Sequence, residues 1–303
     1  MGLTSRTGAR GFIVVAVLWI LAALSALVLI YMTYVTNTAV VVAASADRIQ
    51  TEALASAGVE LAVLQLTSLA EGKRPTSGTF NARVGANRIF VTFRSEAARI
   101  DLNAAPKGLL AGLMTGLGAG ADDAAGYADR ILAWRAPTER GEDDPENSFY
   151  RTSGAPYIPR HAPFPAAEEL WLVRGIPPAF VERMLPFVTV FSNLPAINVL
   201  DAAPQVLAAL PNMTPESLQS ILSQRGDPTL DPQSLIGLAG GEGATLAASK
   251  AYRITVEAAL PDGRRDGSEI VILLIESGEE PYRVLSWHNA SDGSTGLQRA
   301  ASR

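Results

Sequence analysis

A run of nineteen uncharged residues, Phe12 to Ile30 (FIVVAVLWILAALSALVLI), all apolar but Ser25, constrains this chain most, and no charged side chain occurs anywhere between Arg10 and Asp47. As a helix rising ~1.5 Å per residue, the run covers about 28 Å, close to the hydrocarbon thickness of a bilayer. Arg6 and Arg10 precede it and the chain behind it is polar and mixed. The positive-inside rule therefore predicts a single pass with the N-terminus in the cytoplasm and the body on the far side of the membrane. The competing reading is a secretory signal cut after Ala44-Ser45-Ala46. The apolar regions of such signals run about 7 to 15 residues, shorter than this one.

No helix breaker occurs from Phe12 until Gly58, and Gly72 with Pro75 supplies the first firm stop, so one helix is expected over residues 12–72, with its membrane part at about 12–32. Its second half is amphipathic. Leu54, Ala57, Leu61 and Leu64 recur at spacings of three and four and predict a face that packs on a sheet. Thr79 to Arg94, with Gly85-Ala86-Asn87 at its centre, reads as a hairpin. Strand signals return only at Tyr252–Ala258, Glu269–Ile275 and Tyr282–His288. The pattern predicts an α+β fold in which a long N-terminal helix packs on an antiparallel sheet made from residues 73–95 and 249–289. A helical domain, 96–240, is inserted between the strands, and a disordered tail is expected at 290–303.

The insertion contains a diverged repeat. Ile100-Asp101-Leu102, Leu109-Leu110 and Leu113 align without gaps to Ile197-Asn198-Val199, Val206-Leu207 and Leu210, and each unit leads to a second helix ending in Arg135 or Arg225. Each reads as a turn, a helix, a connection and a helix, in the helix-hairpin-helix or SAM-like style of packing. Leu170, Leu172 and Val173, ahead of Arg174-Gly175-Ile176-Pro177-Pro178, suggest a further hairpin.

Catalytic chemistry is not indicated, and no enzyme is expected. The chain has no cysteine and only two histidines, His161 and His288, and it lacks a nucleophile elbow; its glycine clusters are without the Lys-Ser/Thr of a phosphate loop. Helix-hairpin-helix units elsewhere bind nucleic-acid backbone, but residues 96–240 carry 17 acidic against 10 basic side chains, a balance of -7 that repels DNA. No nucleic-acid partner is expected. The acidic loop Gly141-Glu142-Asp143-Asp144-Pro145-Glu146 offers hard oxygen ligands, and calcium is the candidate ion, held by Glu142, Asp143, Asp144 and Glu146, although the spacing is not that of an EF-hand.

Arg10-Gly11-Phe12 followed at once by a long apolar helix resembles a type IV prepilin cleavage site. The resemblance implies that residues 1–11 are a leader removed by prepilin peptidase after Gly11 and that Phe12 becomes the methylated mature N-terminus. Most pilins carry a glutamate at the fifth mature position, and here that position is Ala16. An ionisable group inside lipid is costly without a partner, so a subunit lacking it suits a fibre tip with no neighbour above. Ala128-Asp129-Arg130-Ile131-Leu132-Ala133-Trp134, Glu169-Leu170-Trp171-Leu172-Val173-Arg174-Gly175-Ile176 and Ile197-Asn198-Val199 are similar to the minor pseudopilin K family of type II secretion systems. That resemblance implies a protein of the bacterial inner membrane with a periplasmic body. Its implied partners are minor pseudopilins I and J, prepilin peptidase, membrane lipid and secreted cargo, and its implied role is to cap the pseudopilus and help initiate its assembly. After Trp134 the family usually has an acidic residue within two positions, where this chain has Arg135-Ala136. The alternative class is a membrane-anchored helix-hairpin-helix DNA receptor of a competence system.

Overall fold

The computed structural model describes residues 8–137, 144–227, 229–260, 263 and 265–289, with the backbone alone for 8–13 and 36–47. Residues 1–7 of the expected leader 1–11 and the expected tail 290–303 lie outside them. The chain forms two compact units, Met1–Ala53 and Leu54–Arg303.

Helix α1, Gly8–Thr67, supplies the first unit and opens the second. In the first unit Val14–Val35 is long and apolar enough to cross a membrane, and none of it is buried. In the second unit α1 buries Leu54, Ala55, Val59, Ala62, Val63 and Leu66. The expected face was rotated from this one: Leu54 is buried and Leu61 partly so, but Leu64 is 66% exposed. The stripe that reaches the sheet runs through residues 54, 58, 62 and 66 and the positions beside them, which leaves Leu64 pointing away. Gly58 lies on this stripe because a Cβ there would approach the Val256 side chain to 2.6 Å. The helix also ends earlier than expected, at Thr67 and not at Gly72. Arg74 Nε donates to the carbonyls of Leu66 (3.1 Å) and Leu69 (3.4 Å), taking up C-terminal acceptors that a continued helix would have used.

The sheet is antiparallel, in the order β1 (Ser77–Val84), β2 (Asn87–Ser95), β7 (Ala251–Ala259), β8 (Arg265–Leu274), β9 (Tyr282–Asn289). Ile89, Val91 and Phe93 of β2 and Tyr252, Ile254 and Val256 of β7 share the core with α1, while the alternate residues Phe90, Thr92 and Arg94 are exposed on the other face. Between β2 and β7 runs the helical insertion. It contains β3 (Ile100–Asp101), α2 (Lys107–Gly116), α3 (Ala121–Arg135), α4 (Pro145–Thr152), α5 (Pro178–Met184), β4 (Val188–Thr189), β5 (Ile197–Asn198), α6 (Pro204–Ala208), α7 (Pro215–Gln224), α8 (Gln233–Leu238) and β6 (Ala244–Thr245). Its entry and exit meet: Ser249 N donates to Ser95 Oγ at 2.8 Å, and the two hydroxyls lie 3.1 Å apart.

The repeat is visible as matched hydrogen bonds. β3 pairs in parallel with β4, and β5 with β6, two-residue ladders in a stretch where no strand was expected. Asp101 Oδ1 accepts from the amides of Asn103 and Ala104, and Asn198 Oδ1 accepts from Leu200 N. Arg135 donates to the carbonyls of Leu102 and Ala105, and Arg225 to the carbonyl of Ala202, the counterpart of Ala105. Each unit is therefore a bridge, a side-chain-capped turn and two helices closed by a C-terminal arginine. Gly112 and Ala209, each twelve residues beyond its bridge residue Ile100 or Ile197, meet where α2 crosses α6: a Cβ on Gly112 would lie 2.3 Å from the Ala209 carbonyl oxygen.

The two turn residues are not interchangeable. Asp101 Oδ2 accepts from Ser192 Oγ (3.0 Å) and Asn193 N (2.7 Å), whereas buried Asn198 uses Nδ2 to donate to the carbonyls of Leu246 (2.9 Å) and Ala247 (3.0 Å). Asn198→Asp would set a carboxylate oxygen against two carbonyls. It is expected to destabilise the protein by about 2 kcal/mol or more, read as a lower denaturation midpoint.

Candidate functional site

Gly11 and Phe12 lie in the backbone of α1, and Ala16, half-exposed, lies inside Val14–Val35. No carboxylate occurs between Arg10 and Asp47.

Of the four acidic residues expected to gather around an ion, Glu142 and Asp143 lie outside the described residues. Asp144 caps α4, its Oδ1 accepting from Glu146 N at 2.8 Å. Its Oδ2 lies 3.5 Å from His161 Nε2, which also meets Asn147 Oδ1 at 3.0 Å. Glu146 Oε2 accepts from Arg130 at 2.6 Å, and the Arg130 guanidinium stacks 3.8 Å from the Phe149 ring centroid. Among the described residues no three carboxylates or histidines converge on one point. Calcium takes six to eight oxygens, so two carboxylates, one already neutralised by a guanidinium, do not fit it by themselves.

An aromatic box lies in the same part of the insertion. Trp134 of α3 packs on Tyr150, Tyr157 and Phe164 at ring separations of 5.9, 6.5 and 6.1 Å. The fully buried Tyr150 accepts from Arg174 N at 2.8 Å; burial pushes its phenol up to about 12, against the opposing effect of that hydrogen bond. Trp134 Nε1, Glu146 Oε1, Glu169 Oε2 and Arg174 Nε are buried without a hydrogen-bond partner among the described residues. The sequence pattern includes Trp134, Glu146 and Arg174 but does not mark Arg130 as the ion-pair partner, because nothing in the spacing of residues 130 and 146 reveals that two helices bring them together.

A second polar cluster, which the sequence reading missed, joins the insertion to the sheet. Glu96, 1% exposed, accepts from Arg253 Nε at 2.7 Å and from the Thr189 hydroxyl, and Arg253 also pairs with Glu269. Burial alone would raise the Glu96 carboxyl, but the charges of Arg253 and Arg99 and the two hydrogen bonds hold it below the ordinary carboxylate value. Glu96 thus stays ionised and ties β7 to β4 of the insertion.

Residues 87–193, from β2 through the first half of the insertion, match the family described as type II secretion system (T2SS), protein K. The chain carries a protein K region. That region holds the β2 strand, the first repeat, the aromatic box and Glu96. The fold is also similar to that of one chain in the crystal structure of the GspK-GspI-GspJ complex from the enterotoxigenic Escherichia coli type 2 secretion system. The TM-score is 0.52 at 18% identity, covering 79% of this chain and 94% of the other. The likeness extends well beyond the protein K region and is one of fold. A comparison with curated proteins gives no match.

Proposed function

We propose that this chain is a minor pseudopilin of a type II secretion system that joins subunits I and J at the pseudopilus tip and helps initiate its assembly for export of periplasmic proteins. The observation that carries this reading is the protein K region, set in a fold whose helical insertion divides an antiparallel sheet packed on a long N-terminal helix. The role is structural and not enzymatic. The apolar segment stores the subunit in the inner membrane, N-terminus inside and body in the periplasm, until neighbouring helices replace lipid contacts. Prepilin peptidase cuts between Gly11 and Phe12, and Ala16 leaves no carboxylate to engage a subunit above.

One experiment tests these steps together. Co-expressed with subunits I and J and prepilin peptidase, the full chain is expected to purify from membranes as an equimolar three-subunit complex in which it begins at Phe12. Purification of this chain alone while I and J remain together, or a mature chain beginning after Ala46, would overturn the reading.

A further inference from the structure

Four strands of the sheet end, away from the insertion, in a row of cations. Arg83 of β1 stands directly opposite Arg88 of β2, Arg88 opposite Ala259 of β7, and Ala259 opposite Arg265 of β8, so the three arginines share one row on the sheet face that looks away from α1. All three are exposed, and none has a hydrogen bond or ion pair among the described residues. In the next row, about 7 Å along the strands, stand Asn81, Phe90, Glu257 and Gly267, of which Glu257 is acidic. Arg265 and Glu257 also line, with Phe90, Thr92 and Thr255, an open hollow of about 340 Å³.

This end of the sheet is the one at which α1 enters the second unit. Tyr252 donates to the Pro75 carbonyl at 3.2 Å, beyond the end of α1, and four residues along β7 Val256 lies with Val91 against Gly58. Three residues further, Ala259 and Arg88 carry the strands to the level of Leu54, where the buried stretch of α1 begins. The insertion leaves from the opposite end, after Ser95, and returns at Ala251. Charge is sorted the same way. Residues 72–95 carry Lys73, Arg74, Arg83, Arg88 and Arg94 and no acidic side chain, and with -5 overall against -7 in residues 96–240 the remainder of the chain is net positive. Back from Leu54, the charge-free stretch of the chain ends at Asp47, and the residues between the two cover only about 10 Å as helix.

We propose that the row of Arg83, Arg88 and Arg265 is a docking surface for the anionic headgroups of a phospholipid membrane, on which the body rests beside its own anchor. The proposal rests on the reading of Val14–Val35 as a membrane span. A guanidinium forks onto two phosphate oxygens, and three of them in one row meet a plane of phosphates together. Glu257 lies one row away, on the hollow, where it offers an acceptor to headgroup hydroxyls while the phosphates stay on the arginines. The tether favours lipid over other polyanions. A membrane is held near the row by the chain itself, whereas a nucleic acid or an acidic protein must approach from solution against a net charge of -5.

The chain has no cysteine, so Ala86→Cys in the β1–β2 turn and, as a reference, Gln219→Cys on α7 each carry a single fluorophore. The labelled full chain is reconstituted into phosphatidylcholine vesicles with and without phosphatidylglycerol, and energy transfer to an acceptor on the headgroups is measured. Phosphatidylglycerol is expected to raise transfer at position 86 and not at 219, and high salt to reverse the rise. Arg83→Gln and Arg88→Gln should each lower the ratio of docked to undocked body about fivefold, while Arg151→Gln, exposed on the insertion, leaves it unchanged. Equal transfer at position 86 in the two kinds of vesicle, or no loss when Arg83→Gln and Arg88→Gln are combined, would overturn the proposal and leave the membrane span standing. A chain that washes off both kinds of vesicle would overturn the two together. An oligonucleotide or a glutamate peptide that binds the same arginines in neutral vesicles and displaces position 86 from anionic ones would assign the row to a soluble partner and overturn the proposal as well.

Discussion

Glu96→Ala is expected to lower stability by about 3 to 5 kcal/mol, because it strips a buried cation of half its counter-charge and leaves the Thr189 hydroxyl without its acceptor. In a unit of this size that corresponds to a fall in Tm of roughly 10 °C. Arg253 keeps Glu269, so the fold should survive at low temperature. The loss also carries a pH signature. Glu96 titrates below its ordinary value when folded, so its contribution is complete above pH 4.5 and disappears as pH falls through the depressed folded value. Stability measured by denaturant at neutral pH and in acid should therefore differ more for the native protein than for Glu96→Gln. If the two respond to acid alike, and Glu96→Ala costs less than about 1 kcal/mol, the network contributes no more than a surface pair.

The same substitution should have opposite signs at two glycines of the insertion. Gly112→Ala places a methyl group 2.3 Å from the Ala209 carbonyl oxygen, an encounter with backbone that no rotamer relieves. The helices α2 and α6 must separate, and a loss of about 1 to 3 kcal/mol is expected. Gly126, exposed in the middle of α3, has open space where a Cβ would sit. Gly126→Ala should raise stability by about 0.5 to 1 kcal/mol through helix propensity alone. Denaturant midpoints of the two variants decide it. Movement in the same direction would mean that the α2–α6 crossing yields easily and that the repeat contact is not tight.

How much of this was legible depended on length and period. The α+β class, the apolar helix and the antiparallel strands could be read because each persists over several residues with a recognisable spacing: Ile89, Val91 and Phe93 alternate with Phe90, Thr92 and Arg94 along one strand. The ladders of β3 with β4 and β5 with β6 last two residues each, too short to show any period, so only the repeat of Ile100-Asp101 as Ile197-Asn198 hinted at them. The face of α1 was misjudged because it was drawn through Leu61 and Leu64. Small residues, Ala55, Gly58, Val59 and Ala62, make the close approach and leave Leu64 outside. At the acidic loop, Glu142 and Asp143 lie outside the described residues, Asp144 caps α4 and Glu146 pairs with Arg130 of α3. The cap is local, but the pairing of Glu146 with Arg130 joins two helices and leaves no trace in local spacing.

The meeting of Ser95 and Ser249 bears on the order in which the molecule assembles. β2 cannot find β7 until the whole intervening stretch has been synthesised. Closing so long a loop as free chain costs about 4 kcal/mol of entropy. If the insertion condenses first around its own two repeats, its ends are already side by side and most of that cost is gone. The sheet would then be the last part to close, its central pairing waiting on a domain that completes itself beforehand.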